Sequence, residues 1–298
     1  MAVDDLDHLG TEQENPRTAD LDRLTTLAIL ERLNEEDQTV PPAVRAALPT
    51  LARAVDLAVA QWRQGGRIVL FGAGTSGRLA AIDAAELGPT FGIPPERYQA
   101  RIAGGPAAFF RSIEGAEDDR TAGAAAAADL TACDLALGVA ASGRTPWVLA
   151  ALEAARQRGA ATVGLACVAA PALAAFADVL VAIDTGPEAI AGSTRLKAGT
   201  ATKLALNAFS TALMVRLGKV YGNLMVDVQA TNTKLRRRAV RLIERIAGVD
   251  RPTAERAFRE AGDLKTAVVV LRRGLAVEAA RALLERVDGQ LRRALEEP

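Results

Sequence analysis

The chain of 298 residues is half hydrophobic but only 4% aromatic, which favours a large core of helices packed closely around a sheet. Lysine plus arginine equals aspartate plus glutamate at 36 each, so no basic excess predicts binding to nucleic acid or to an anionic membrane. The single histidine, His8, excludes a serine–histidine–aspartate triad and a histidine-rich metal site. Two cysteines, Cys133 and Cys167, are too few for a metal site, and both thiols are expected to be reduced and buried.

The first ten residues are acidic and lack an apolar run, so no signal peptide is predicted. No apolar stretch reaches the length of about 20 residues that a transmembrane helix needs. We therefore expect a cytoplasmic protein.

The predicted elements follow one another with little linker sequence. Residues 1–18 are expected to form an extended polar arm. Two helices are then predicted at 19–34 and 43–64. Five short apolar strands are predicted at 67–72, 98–105, 135–143, 162–168 and 178–184, with helices between them at 76–87 and 146–158. Later helices are expected from 192 to about 218, from 224 to 247, and as several short amphipathic segments over 250–298.

Short apolar strands that alternate with helices indicate an α/β fold, in which a parallel sheet is covered on both faces. Three domains are expected: N-terminal arm and helices over 1–60, the sheet domain over 61–248, and a small C-terminal helical bundle over 249–298. Ligands of such sheets bind at the carboxyl ends of the strands.

The loop after the first strand has the glycine spacing of a dinucleotide-binding turn, at Gly72, Gly74 and Gly77. The second predicted strand ends in glycines and offers no acidic residue for a ribose, which argues against a dinucleotide. A tight strand–helix turn would also explain the glycines. The hydroxyls of Thr75 and Ser76 instead suggest a terminal phosphate.

A second loop of similar composition follows the third strand. Hydroxyls and backbone N–H groups from two such loops can converge on one phosphate, although a helix cap explains each serine alone. The predicted phosphate-binding residues are Thr75, Ser76, Gly77, Ser142, Gly143, Arg144 and Thr145. The predicted ligand is a sugar phosphate.

The two loops resemble those of the sugar isomerase domain, which implies a flavodoxin-like three-layer sandwich. The stretch GPEAIAGSTRLKAGTATK (186–203) resembles the segment shared by N-acetylmuramic acid 6-phosphate etherases and the glucokinase regulatory protein. Further stretches similar to the bacterial etherases are TEQENPRTADLD (11–22), LNEEDQTVPPAV (33–44), GAGTSGRLAAIDAAELGPTFG (72–92), IEGAEDD (113–119) and YGNLMVDVQATNTKL (221–235).

This resemblance implies cleavage of a lactyl ether by elimination and rehydration, with Glu86 as the acid and Glu117 as the base. The order of the two roles is left open, and Glu114 is the alternative to Glu117. Glu86 follows two alanines, so we expect it to be buried with a raised pKa. Without the resemblance, a surface carboxylate explains Glu86, and a favourable helix-dipole contact explains Glu117.

The resemblance also implies that Ser193, Thr194 and Lys197 contact substrate, although a helix cap or a salt bridge would explain them equally well. The family commonly has serine where this chain has Ala85, which removes a hydroxyl beside Glu86. The resemblance implies no cofactor and no metal. It implies a homodimer. Two alternatives stay open: a non-catalytic phosphosugar sensor and an aldose–ketose sugar-phosphate isomerase.

Overall fold

A computed structural model describes residues 10–227 and 233–296. The chain divides into two compact units: the first contains the residues up to Ala84 and Pro95–Ser210, and the second contains Ala85–Pro94 and the residues from Thr211 on. The predicted domain boundaries at 60 and 248 differ from this division, because helix 40–63 packs on the sheet and helix 233–247 packs with the C-terminal helices. His8 and residues 228–232, part of a predicted helix, lie outside the described residues.

The described part of the first unit begins with short 3-10 turns, which two helices and then a βα alternation follow. Its strands are β1 (Ile68–Gly72), β2 (Tyr98–Ile102), β3 (Leu135–Val139), β4 (Ala161–Ala166) and β5 (Val179–Ala182). Its helices are α1 (Thr26–Asp37), α2 (Val40–Arg63), α3 (Gly74–Phe91), α4 (Arg120–Ala126), α5 (Pro146–Gln157) and α6 (Lys197–Arg216), of which α3 and α6 continue into the second unit. Several predicted strands are too long, because the chain turns into a loop at the polar and glycine residues after each apolar run.

The five strands form one parallel sheet in the order β2-β1-β3-β4-β5, which is the flavodoxin-like order. Leu70 pairs with Ala100 on one side and with Leu137 on the other, so β1 lies between β2 and β3. Every residue of β1, β3 and β4 is buried, as expected for a parallel sheet covered on both faces. The predicted fold class is confirmed. The strand order reverses between β1 and β3, which is where this class of sheet binds its ligands.

The described residues of the second unit are helical apart from a short hairpin. Its elements are β6 (Val220–Tyr221), β7 (Leu224–Met225), α7 (Thr233–Ala247), α8 (Arg251–Ala261), α9 (Leu264–Arg273), α10 (Val277–Arg286) and α11 (Leu291–Glu296). The hairpin replaces the start of the helix predicted at 224, because Gly222 turns the chain with a φ of +60°. Left-handed glycines end α8 and α9, at Gly262 and Gly274.

A buried hydrogen-bonded group holds α3 in the first unit. The Asp83 carboxylate accepts a hydrogen bond from the Tyr98 hydroxyl at 2.8 Å and another from the Ser210 hydroxyl at 2.9 Å. Burial, together with the charge of Asp83, raises the pKa of Tyr98 well above its ordinary value, so the phenol stays protonated and donates. These bonds join α3 to β2 and α6.

We expect Tyr98→Phe to lower the free energy of unfolding by about 1–2 kcal/mol, because it removes a buried hydrogen bond to a charged group. The measurement is urea unfolding followed by circular dichroism. The matched control is Tyr221→Phe, whose ring is half-buried in the second unit and which should change stability by less than about 0.5 kcal/mol. Equal losses in the two variants would contradict a specific role for the bond to Asp83.

Candidate active site

The loop between β1 and α3 makes a tight turn at the point where the strand order reverses. A Cβ added at Gly72 would lie 2.7 Å from the backbone nitrogen of Gly77, and one added at Gly77 would lie 2.6 Å from the side chain of Ile102. Both glycines are therefore required by close packing of the strand against the helix. Thr75 and Ser76, in the first turn of α3, are half-buried.

The loop between β3 and α5 lies beside it in the sheet order. The Ser142 hydroxyl accepts a hydrogen bond from the backbone N–H of Arg144 at 3.3 Å. Thr145 precedes the first residue of α5, yet its hydroxyl makes no capping hydrogen bond to that helix. The Thr145 hydroxyl is thus not used as a helix cap, which removes the simplest alternative to a binding role for this residue.

Gly143 allows the second loop to pass close to the 3-10 turn at Ala172–Ala175, which follows β4. Its φ is +68°, and an added Cβ would lie 2.1 Å from the Cβ of Pro171. Its carbonyl accepts a hydrogen bond from the backbone N–H of Leu173 at 3.0 Å. The loop conformation therefore depends on a glycine here for both backbone angle and space.

We expect Gly143→Ala to destabilise the protein by about 1–3 kcal/mol more than Gly274→Ala, since both glycines have a positive φ and only Gly143 is crowded. Both variants should lose about 1–2 kcal/mol from backbone strain. Urea midpoints of the two variants measure the difference. Equal losses would show that the neighbouring turn moves aside at no cost.

A pocket of about 290 Å³ opens beside the first loop, in the first unit. Its lining comprises Ala73, Gly74, Arg78, Ala103, Ala108 and Arg111–Asp118. Because Ala73 and Ala103 follow β1 and β2, the pocket lies at the carboxyl edge of the sheet. It combines three carboxylates (Glu114, Glu117 and Asp118) with two guanidinium groups (Arg78 and Arg111).

Glu117 is exposed in this pocket and is tied to the second loop through its backbone. Its carbonyl accepts a hydrogen bond at 2.9 Å from the backbone N–H of Trp147, in the first turn of α5. The Trp147 ring packs against Phe71 of β1, with ring centroids 6.1 Å apart. The structure therefore brings Glu117 to the edge of the sheet where the two loops lie.

The third predicted segment enters α6 through a buried charge cluster. The Lys197 ammonium lies 2.9 Å from the Glu36 carboxylate, and both side chains are almost fully buried. Asn15 donates to the same carboxylate at 2.8 Å, and the Arg17 guanidinium lies 2.7 Å from its second oxygen. We call Asn15, Arg17, Glu36, Glu188 and Lys197 the buried charge cluster. The cationic group predicted to contact substrate is therefore engaged inside the protein, and a direct binding role for Lys197 stays a prediction.

Hydrogen bonds and charge set the protonation of the cluster. Burial alone would raise the pKa of Glu36, but hydrogen bonds from Lys197 and Asn15, with the neighbouring positive charges, outweigh it and lower that pKa. Glu188 accepts hydrogen bonds from the backbone N–H groups of Lys197 and Ala198 at 2.8 and 2.9 Å. Burial raises the pKa of Glu188 despite these two bonds. Its carboxyl group occupies the N-terminus of α6, so the adjacent Ser193 is not needed as the cap there.

The expectation of an extended polar arm is wrong for residues 10–18. Short 3-10 turns at Gly10–Glu12 and Pro16–Thr18 fold this segment, and Thr11, Asn15 and Thr18 are buried. The backbone N–H of Gly192 donates to the Thr11 carbonyl at 3.0 Å. The segment is ordered because its polar atoms bond to the loop that leads into α6. Ser193 and Thr194 lie in that loop and are half-buried.

The third segment also approaches the first loop. A Cβ added at Gly199 of α6 would lie 3.6 Å from the methyl group of Thr75. The start of α6 and the start of α3 are thus neighbours in the first unit. The three predicted binding segments, around Thr75, Ser142 and Thr194, all lie at or just before the start of a helix.

Two expectations about burial are wrong. Glu86 is exposed, because Ala80, Asp83 and Leu87 form the buried stripe of α3 and Glu86 lies off that stripe. It belongs to the second compact unit, whereas the residues that line the pocket belong to the first. Cys133 is exposed, whereas Cys167 is buried, and burial raises the pKa of the Cys167 thiol to about 12.

Sequence reasoning missed Arg78 and Arg111 in the pocket. Arg78 follows directly after the glycine turn, and Arg111 precedes the acidic stretch that contains Glu117. Among the described residues, no group of three or more His, Cys, Asp or Glu side chains is placed to hold a metal ion. No helix found in the described ranges has the length and apolar character needed to cross a bilayer.

Two family models match overlapping parts of the chain. The model of the glucokinase regulatory protein N-terminal SIS domain matches residues 50–156, and the model of the SIS domain matches residues 116–212. The matched residues include both loops, the pocket and the start of α6.

Curated relatives match nearly the whole chain. A protein of Geobacillus thermodenitrificans named N-acetylmuramic acid 6-phosphate etherase is 49% identical over 98% of this chain and 100% of its own length. A protein of the same name from Yersinia pestis is 49% identical over 96% of this chain and 98% of its own. Among solved structures, a phosphoheptose isomerase from Francisella tularensis has a TM-score of 0.50 at 18% identity, covers 64% of this chain and 100% of that one, and shows the fold alone.

Proposed function

Because this chain belongs to the N-acetylmuramic acid 6-phosphate etherase family, we propose that it cleaves the D-lactyl ether of N-acetylmuramic acid 6-phosphate to give N-acetylglucosamine 6-phosphate and D-lactate. The resemblance found in the sequence motifs is confirmed by the relatives. The observation that carries the proposal is 49% identity over 98% of the chain. The pocket that holds Glu117 at the carboxyl edge of the sheet supports it.

The proposed reaction needs a base and an acid. When the sugar ring opens, the C1 aldehyde acidifies the proton on C2. A base takes that proton, the C3–oxygen bond breaks, and an acid protonates the departing lactate oxygen. Water then adds to the unsaturated aldehyde, with its hydroxyl on C3 and a proton on C2. Carboxylates can perform each of these proton transfers.

We assign the base role to Glu117 and the acid role to Glu86. The position of Glu117 supports the base role, since Glu117 lines the pocket together with Gly74 at the start of α3. The assignment of Glu86 rests on the family motif, because its exposed side chain has none of the burial that would favour a protonated carboxyl. Ala85, which is also exposed, leaves no hydroxyl beside it.

We assign the phosphate of the substrate to the two loops. The half-buried hydroxyls of Thr75, Ser76, Ser142 and Thr145 surround the starts of α3 and α5, where backbone N–H groups also point outward. Glu188 occupies the start of α6, so that helix end does not offer its first N–H groups to an anion. Ser193 and Thr194 are proposed to reach the substrate from the loop that the buried charge cluster holds.

We further propose that the protein acts as a homodimer. Of the large apolar side chains described in the first unit, the three most exposed are Phe110 at 94%, Leu27 at 65% and Leu30 at 59%. Phe110 adjoins Arg111 of the pocket lining, so a second subunit that covered it would also shield the site. Most apolar residues of α6 are buried within the chain, which leaves Leu204 and Val215 as its exposed large apolar side chains.

The alternative function is a non-catalytic phosphosugar sensor. It is favoured by the match of residues 50–156 to the glucokinase regulatory protein domain. A sensor would use the same loops for the phosphate and would have no need of Glu117.

The test is incubation of the protein with N-acetylmuramic acid 6-phosphate in deuterated water. We expect release of D-lactate together with one deuterium on C2 of the sugar product, because the proton added in the last step comes from solvent. Lactate without deuterium would contradict elimination and leave direct hydrolysis. Binding of the sugar phosphate with no lactate released would favour the sensor.

A further inference from the structure

Two arginines line the same pocket as Glu117 and take no part in the proton transfers that are assigned to the two glutamates. Arg78 lies on α3, and Arg111 lies just before the acidic stretch of the lining. In the described part of the chain, neither guanidinium forms an ion pair with a carboxylate. The pocket therefore presents two positive charges that its own side chains leave available to an anion.

Neutral carbonyl groups hold Arg78 in place. Its Nε atom lies 3.0 Å from the carbonyl oxygen of Ala108 and 3.2 Å from that of Phe109. Its Nη2 atom lies 3.4 Å from the carbonyl oxygen of Arg111. These bonds orient the planar guanidinium without cancelling its charge, so little order has to be gained when an anion binds. They also anchor the backbone that carries Arg111.

We infer that Arg78 and Arg111 form an anion subsite that receives the carboxylate of the lactyl group. The inference rests on the proposed function. Glu117 must reach the proton on C2, and the lactyl ether is attached to the neighbouring carbon, C3. A sugar bound with its C2 within reach of Glu117 therefore has its lactyl carboxylate close to the pocket lining. The two guanidinium groups of that lining match a carboxylate in shape and charge.

This subsite makes the protein selective for ethers that carry a carboxylate. It acts through binding and orientation of the leaving group, and it leaves proton transfer to the glutamates. The substrate phosphate is a second anion that the arginines could hold, and the test separates the two. Arg111 is the residue to replace, because it is exposed, whereas replacement of Arg78 would also release the turn at Pro106–Phe109.

The experiment compares three ligands in wild type and Arg111→Gln. The ligands are N-acetylmuramic acid 6-phosphate, its lactyl carboxamide, and N-acetylglucosamine 6-phosphate, which has no lactyl group. We expect wild type to prefer the acid to the amide by about 10- to 100-fold in kcat/KM, the range for a hydrogen bond between charged groups. In Arg111→Gln the ratio of kcat/KM for the acid to kcat/KM for the amide should fall close to one, mostly because KM for the acid rises. The affinity of this variant for N-acetylglucosamine 6-phosphate should stay within about twofold of the wild-type affinity.

The matched control is Arg158→Gln, an exposed arginine directly after α5, at the end of that helix remote from its loop. It should keep the preference for the acid, and Arg111→Lys should keep part of it. An unchanged preference in Arg111→Gln would overturn the inference while lactate release upheld the proposed function. Weaker binding of N-acetylglucosamine 6-phosphate to Arg111→Gln would assign the arginines to the phosphate instead. If wild type releases no lactate, the proposed function fails, and calorimetric affinities for the acid and amide still test the subsite.

Discussion

Glu117→Gln is expected to lower the rate of D-lactate release by about 10²- to 10⁴-fold, the usual contribution of a general base. The amide has nearly the shape of the carboxylate but cannot take the C2 proton. Glu117 is exposed and its link to α5 runs through its backbone carbonyl, so the variant should fold as wild type does. The measurement is lactate release at saturating substrate, with deuterium exchange at C2 of the unreacted sugar followed in parallel.

The neighbouring carboxylates provide the controls. Glu114→Gln and Asp118→Asn alter the same pocket lining and should change the rate only a few-fold. Glu86→Gln should continue to exchange deuterium at C2 while it releases little lactate, because the acid is missing and the base is intact. If Glu114→Gln abolished exchange and Glu117→Gln did not, the base would be Glu114. If Glu86→Gln stopped exchange, the two roles would be reversed.

Glu36→Gln is expected to lower the free energy of unfolding of the first unit by about 3–5 kcal/mol. The substitution leaves the Lys197 ammonium buried beside a neutral amide, and an unpaired buried charge costs more than the pair contributes. Such a loss is a large part of the total stability of about 5–15 kcal/mol typical of a folded domain. Urea unfolding followed by tryptophan fluorescence measures it, because the two tryptophans, Trp62 and Trp147, both lie in the first unit.

The double variant Glu36→Met, Lys197→Met separates the charge from the packing. It should recover most of the lost stability, since well-packed apolar residues can replace a buried ion pair at little net cost. The loss in Glu36→Gln should also shrink as pH falls. The pKa of Glu36 is lowered on folding, so its contribution is present above the ordinary glutamate range and disappears as pH falls through the lowered value. A double variant that is no more stable than Glu36→Gln would show that the unpaired charge of Lys197 is not the cause of the loss.

The sheet and its loops could be predicted because their signals are local. Apolar runs that end in glycine mark β1 and β3, and Gly72, Gly77 and Gly143 each occupy a position where a Cβ has no room. The hairpin at β6 and β7 was not predicted, because each of its strands has two residues, too few for an alternating pattern.

The chemistry of the site was only partly predictable. Glu36 and Lys197 are separated by 161 positions, and no local pattern pairs two charges over that distance. Alanines before Glu86 suggested burial, but helical periodicity gives the buried position to Asp83, whose charge is compensated by hydroxyls from β2 and α6. No local sequence pattern singles out Arg78 or Arg111, and only the fold places both in one pocket with Glu117.

The buried charge cluster joins three stretches of chain that lie far apart in sequence. Glu36 bonds to Asn15 and Arg17 on one side and to Lys197 on the other, and Asn15, Glu36 and Lys197 are buried, so none of these three can change alone without leaving a buried polar group unpaired. Substitutions here can be accepted during divergence only in matched sets. We therefore expect residues 15–36 and the segment that opens α6 to diverge together, and transplanting either one into a related scaffold to require the other.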